Sequence, residues 1–314
     1  MTHGISGNNR QSKNERREAA REKAKELRES QRKKDRRTKV VLQGSVIIAL
    51  LAIVAVVAFV IVTTVRPAGP GPRNMLSDGI LIGEGLTATP TKALQPGAEP
   101  VPNPRNDDDD VIRIQMYVDY FCPICGQFED ANGDQLTTWL ESGAANVEIF
   151  PMAILDRASQ GTKYATRAAN AAACVADSSP DQYYDFHNIL FANQPEEGTE
   201  GLSDEELIAF TEEAGVSEPG TVAKCIDDQK FKSWVADART RAQNGPIFDS
   251  NVAKIAGTPT VIVNGLKYTG ALDDPKAFSA FVLQAENTNF NESSTATPEP
   301  TAEPTAEPTE TPAP

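Results

Sequence analysis

The stretch Cys122-Pro123-Ile124-Cys125 stands between a strand-like run, Val111 to Asp119, and a helix-like run, Gly126 to Glu141. In the first run Ile112, Ile114, Met116 and Val118 recur at every second position, the period of a half-buried strand. Pro123 stands where a first helical turn tolerates a missing N–H. Two thiols at such a junction are not equivalent. Cys122, at the helix start, faces unpaired backbone N–H groups and the positive end of the helix dipole, which favour the thiolate. Such settings lower a cysteine pKa from about 8.5 to between roughly 3.5 and 7.5. Cys122 is therefore the sulfur expected to attack and be attacked, and Cys125, one turn further in, the shielded sulfur expected to resolve the exchange.

About 130 residues further on comes Gly257-Thr258-Pro259-Thr260, followed by Val261-Ile262-Val263 and a hairpin-type Asn264-Gly265. Between the two motifs lies a second strand, Val147 to Ala153, and then a helical stretch from Gly161 to Gly245. Within it Thr166 to Val175, Pro180 to Phe191, a helix opened by the capping box Ser203-Asp204-Glu205-Glu206, Thr221 to Trp234, and Val235 to Gln243 read as separate helices. Asn132-Gly133 is a possible kink in the first long helix. After the hairpin strand Lys267 to Thr269, Asp273-Asp274-Pro275 caps a last helix ending near Asn287. The order β-α-β, helical insert, β-β-α predicts an α/β fold with a mixed central sheet.

Outside roughly 106–288 the composition changes. Residues 1–39 carry fourteen Lys/Arg against six Asp/Glu, a local charge of +8. Asn14 to Arg37 reads as a charged helix, either a topology signal or a surface for anionic lipid head groups. Val40 to Val65 is an uncharged run of twenty-six residues, beyond the ~20 that span a bilayer. That length, and the long basic region before it, favour a retained single-span anchor over a cleaved signal peptide. The basic excess puts the N-terminus on the cytoplasmic side and residues 66–314 outside. Residues 66–105, rich in Pro and Gly, read as an extended, mobile linker, and 289–314 as a disordered Thr/Pro/Glu tail. The net charge is −14, so the chain without its basic segment carries −22, which argues against nucleic acid as a partner of the outer part.

Four cysteines on the outer side of a membrane read as two disulfides. Cys122 and Cys125 form the pair suited to exchange. Cys174 and Cys225 form a staple closing a loop of about fifty residues, worth roughly 4 kcal/mol in the chain-entropy model; the alternative is two buried free thiols.

Cys-Pro-Xaa-Cys after a strand, Gly-Thr-Pro-Thr before a later strand, a helical insert between them and a membrane anchor outside resemble the DsbA-like branch of the thioredoxin superfamily over about residues 110–288. The resemblance implies a thioredoxin-like α/β fold with a helical insertion domain (about 160–245), preceded by a single transmembrane helix. It implies an extracytoplasmic thiol-disulfide oxidoreductase. No cofactor is expected, and no metal, since a zinc site would need two ligands besides Cys122 and Cys125 and the chain has no second close cysteine pair. Thr258 and a cis Pro259 would lie beside the active pair. Its partners would be reduced exported proteins and a quinone-linked membrane electron acceptor, and it would act as a monomer. The direction expected is oxidation. Ile124 replaces the histidine that the family's strongest oxidants carry, so the site is expected to be less oxidising than theirs. Two other readings stay open: the same fold run as a reductase or isomerase, and a redox-inert binding module on a stalk. Residues 66–105 look too irregular for the dimerisation domain of an isomerase.

Met116 stands where many relatives in that superfamily place a buried acid. Asp119 and Glu129 are the candidate proton carriers, each set against a plain solvated carboxylate. Asp107 to Asp110 could hold a hard cation, though a charge run is more often solvated. His187 reads as a packed side chain, and Asn291-Glu292-Ser293 is a weak glycosylation sequon.

Overall fold

The computed structural model describes residues 13–64, 69–104 and 111–295. The chain divides into two compact units, Met1–Pro67 and Ala68–Pro314. Among the described residues the first holds one helix, α1 (Lys13–Thr64), and within its segment Ala20–Val56 lies an 18-residue stretch apolar enough to cross a membrane by length and composition. Leu42, Ile48, Leu50, Leu51, Ile53 and Val54 are exposed apolar side chains of this helix.

The second unit is built on a five-stranded sheet in the order β1-β3-β2-β4-β5. The strands are β1 (Ile80–Ile82), β2 (Ile112–Val118), β3 (Ala145–Pro151), β4 (Thr260–Val263) and β5 (Leu266–Lys267). β2 and β3 are parallel, and every other pairing is antiparallel. The parallel pair is linked by α2 (Pro123–Glu141), the crossover that parallel strands require. The alternation read in β2 settles its faces. Ile112, Ile114, Met116 and Val118 join the main core with Phe128, Leu136 and Leu140 of α2 and with Phe278 and Val282 of α8 (Pro275–Thr295). Tyr117 points to the opposite face, where it stacks on Phe150 at 4.3 Å beside Met152, Ile247, Ile255 and Ile262.

The insert comprises α3 (Tyr164–Ser178), α4 (Tyr183–Ala192), α5 (Asp204–Glu213), α6 (Pro219–Asp227) and α7 (Lys232–Asn244). The capping box that opens α5 is present: Glu206 N donates to Ser203 Oγ at 3.2 Å, and Ser203 N to Glu206 Oε2 at 2.7 Å. Cys174 of α3 and Cys225 of α6 are joined by a disulfide, with Cα atoms 5.8 Å apart.

Several expectations need correction. Residues 69–104 are not an extended, mobile linker. They supply β1 to the sheet edge, and Met75, Ile80, Ile82 and Ala88 lie in the main core. Prolines and glycines hid one short apolar run, Ile80 to Ile82, that finds a partner in β3 (Ile80 opposite Ile149, Ile82 opposite Val147). A buried polar cluster fixes the same segment. Glu148 on β3 accepts from Ser77 Oγ at 2.6 Å, from Asn103 Nδ2 at 2.8 Å and from Arg113 at 2.6 Å.

α2 runs unbroken through Asn132-Gly133, because the Asn132 amide donates to Phe128 O at 2.8 Å and Leu272 O at 3.0 Å. The helix expected over 221–234 ends at Asp227, and a new one starts at Lys232. The intervening turn is held by Phe231 N donating to Asn170 Oδ1 of α3 at 2.8 Å, a tertiary contact that local pattern does not encode. α8 extends to Thr295 instead of stopping near Asn287, since no proline interrupts the chain before Pro298. The Asp107 to Asp110 run lies outside the described residues.

Candidate active site

β2 ends at Val118, and the next residue organises the turn into α2. Asp119 is fully buried. Its Oδ1 accepts from Phe121 N at 2.9 Å, and its Oδ2 from Ile154 N at 2.7 Å and Leu155 N at 3.0 Å. One carboxylate thus ties the end of β2 to the chain leaving β3. Burial pushes its pKa up to about 6, against the three N–H donors that pull it down, and the nearby Cys122 sulfur adds to the rise. Asp119 is therefore not the solvated surface group weighed from sequence.

Cys122 is the N-cap of α2 and Pro123 its first residue. Cys122 N donates to Asp119 O at 2.9 Å, and Cys122 O accepts from Cys125 N at 3.0 Å and Gly126 N at 3.2 Å. The two cysteines are free thiols. Cys122 Sγ lies 3.4 Å from Thr258 O, and the Thr258–Pro259 peptide is cis. The structure thus brings together the two motifs that the sequence holds apart.

The pKa of Cys122 is lowered to about 6. The largest cause is the hydrogen bond from the Cys125 thiol, opposed by burial and helped by the Cys125 N–H, the Thr258 side chain and the Ile124 N–H. Helix-start N–H groups do contribute, as the sequence implied, but the second thiol contributes more. Cys125 is wholly buried, and burial, with its proton shared toward Cys122, pushes its pKa well above the usual thiol value. Both shifts favour one protonation pattern, a thiolate on Cys122 and a thiol on Cys125. Ile124 between them is 43% exposed, so the dipeptide presents an apolar surface at the mouth of the pair.

Glu129, one turn beyond Cys125, is also buried and not a solvated carboxylate. It pairs with His187 Nε2 of α4 at 3.2 Å. The other ring nitrogen, Nδ1, lies 3.2 Å from Tyr120 Oη, which is 3.3 Å from Tyr183 Oη. His187 is packed among these rings and Phe191, as a packed side chain was expected to be. The sequence carried no signal for the pairing with Glu129, because the partners are 58 residues apart. Gln194, just past α4, was missed for the same reason: its amide donates to Tyr120 O at 3.1 Å and Cys122 O at 3.0 Å. Among the described residues no cluster of three or more His, Cys, Asp or Glu side chains is arranged to hold a metal ion.

The Na(+)/H(+) antiporter NhaA 3 of Salinispora tropica is 25% identical over 180 residues, 55% of this chain and 23% of that protein. The NhaA 1 antiporter of Salinispora arenicola is 26% identical over 179 residues, with the same coverage. The chain thus spans about a quarter of the length of the curated relatives it matches. Among solved structures, the reduced disulfide bond oxidoreductase DsbG of Mycobacterium tuberculosis is 28% identical over 73% of this chain and 97% of its own, with a TM-score of 0.49. Oxidised DsbA of the same organism is 30% identical over 70% of this chain and 100% of its own, with a TM-score of 0.48. The family model described as Thioredoxin matches residues 110–283, a span that holds Cys122, Cys125, Thr258 and Pro259 together with the whole helical insert, and the chain belongs to that thioredoxin family.

Proposed function

We propose that this chain is a membrane-anchored protein thiol-disulfide oxidoreductase that works outside the cytoplasmic membrane and introduces disulfides into exported proteins. The observation that carries the reading is the opposed acidity of the pair. Cys122 is lowered to about 6 at the mouth of the site, and Cys125 is raised behind it. A dithiol whose reduced form is stabilised as a thiolate makes its disulfide a stronger oxidant.

In the oxidising direction a substrate thiolate attacks Cys122 Sγ of the Cys122–Cys125 disulfide. The S–S bond breaks, a mixed disulfide forms, and Cys125 leaves and takes a proton. A second substrate thiolate then attacks the substrate sulfur of the mixed disulfide and releases Cys122 as the thiolate. Two electrons pass from substrate to protein. A quinone-linked membrane partner would take them away and restore the disulfide. Pro259 offers no N–H, which leaves the backbone beside it open to pairing with an extended substrate strand. Asp119, half ionised near pH 6 and electrostatically coupled to Cys122, is the proton carrier favoured over Glu129, which is engaged by His187. α1 would anchor the chain with its basic end inside.

The test is the reduction potential of the Cys122–Cys125 couple, together with activity on reduced and on scrambled ribonuclease. Oxidation of the reduced substrate, at a potential above that of thioredoxin (about −270 mV), is expected. A lower potential with activity on scrambled substrate alone would replace the oxidase reading with an isomerase one. Full function of a Cys122→Ser variant in cells would leave a redox-inert module.

A further inference from the structure

α4 ends at Ala192, and the chain then turns so that the Gln194 side chain lies against the start of α2. Its Nε2 donates to Tyr120 O and Cys122 O, the carbonyls on either side of Phe121 O. Both acceptors are carbonyl oxygens, so only the NH₂ end of the amide can face them. The Oε1 end is therefore turned toward Gly126, where an added Cβ would overlap it. Gly126 is buried inside α2, directly after Cys125, and its φ is not positive. No backbone conformation calls for glycine there. A glycine within a helix is destabilising relative to alanine; room for the Gln194 amide is what its missing side chain provides.

The Cys122 carbonyl is the first acceptor of α2 and belongs to the residue whose sulfur is to ionise. A negative dipole end so close to a thiolate opposes ionisation. A donor on that oxygen offsets its partial charge and also fixes the peptide from which the sulfur hangs. We propose that Gln194 is a positioning residue for the Cys122–Cys125 pair, holding the Tyr120 and Cys122 carbonyls so that the Cys122 sulfur keeps its place beside Thr258 and its reactivity. The proposal rests on Cys122 being the exchanging sulfur, and it makes the helical insert a working part of the site. Phe191 and His187, which pack on the Tyr120 ring, deliver α4 to the place where Gln194 can reach.

The experiment follows the pH dependence of Cys122 alkylation in the full-length protein, comparing wild type with Gln194→Ala, Gly126→Ala and the double variant. The wild-type midpoint is expected near 6. Gln194→Ala is expected to raise it by about half to one unit, which slows alkylation at pH 6 roughly two- to fivefold. Gly126→Ala displaces the amide and is expected to shift the midpoint the same way, with no further shift in the double variant. Thermal melting separates this from a general loss of structure. Gly126→Ala should lower the melting temperature in the wild-type background and raise it once residue 194 is alanine, because alanine is then free to favour the helix. A midpoint unchanged in Gln194→Ala, or shifts that add in the double variant, overturns the role of Gln194 while leaving the exchange reading intact. A wild-type midpoint near that of free cysteine overturns both.

Discussion

Cys122 Sγ stands 3.4 Å from the carbonyl oxygen of Thr258, a residue 136 positions later. That distance joins the start of α2 to the entry of β4 and holds the Cys122 sulfur beside the main chain at the cis Thr258–Pro259 peptide. Two further influences act on the same sulfur, the N–H groups of the helix start and the Cys125 thiol.

Replacement of Cys125 by alanine removes the larger of these influences. The Cys122 midpoint, about 6 in the intact pair, is expected to move up toward that of free cysteine. Alkylation kinetics between pH 5 and 9 would measure it. A midpoint that stayed near 6 would assign the acidity to the helix start alone.

Stability of the reduced form should depend on pH through the same group. Cys122 has a folded pKa of about 6 against an ordinary value of 9.0. A depressed acid contributes stability that is full above its unfolded pKa and is lost as pH falls through its folded pKa. The urea midpoint of the dithiol protein, relative to Cys122→Ser, should therefore rise from pH 6 to pH 9. Asp119 acts with the opposite sign in a lower window. Its raised pKa contributes stability below 3.8 that is lost as pH climbs to about 6.

Glu148 is the hub of a buried cluster that includes Arg113, Ser77 and Asn103. Glu148→Ala leaves the Arg113 guanidinium buried without its closest carboxylate, 2.6 Å away in the native protein. A loss of about 3–5 kcal/mol is expected, read by urea unfolding. The alkylation midpoint of Cys122, at the other end of β2, should not move.

Deletion of residues 69–104 removes β1 and the fully buried Met75, Ile80 and Ile82. At about 1.5–3 kcal/mol for each buried side chain, the loss is comparable to the roughly 5–15 kcal/mol that holds a domain folded. A soluble fragment starting at residue 69 is expected to unfold cooperatively. One starting at residue 106 is expected to aggregate or to lack a thermal transition.

Replacing both Cys174 and Cys225 by serine should cost about 4 kcal/mol in the chain-entropy model, given their separation of 51 residues. The loss should appear in unfolding of the insert, with the Cys122 midpoint retained.

Local chemistry made much of this molecule legible. The alternation in β2, the proline after Cys122, the Ser203 capping box and the Asn264-Gly265 turn are each short-range signals, and each marked its element. The segment before the domain was misread for an equally physical reason. Its apolar residues are few and set among prolines, so nothing local reveals that β3 has an unpaired edge waiting for Ile80 and Ile82. Asp119 and Glu129 were misjudged because a carboxylate's burial depends on donors supplied from elsewhere, Ile154 N and Leu155 N for one and His187 for the other.

By itself the sequence determined that a reactive dithiol opens a helix after a buried strand, that a Thr-Pro motif precedes a later strand, and that an apolar run long enough for a bilayer lies near the N-terminus. Periodicity, turn chemistry and hydropathy act over a few residues and can be read along the chain. Only the tertiary structure decided that Thr258 meets Cys122, that Gln194 grips the turn from β2 into α2 from the insert, and that Cys125 is dry enough to keep its proton while Cys122 gives one up. Those outcomes depend on burial and on donors brought from distant segments, and no stretch of sequence holds both partners.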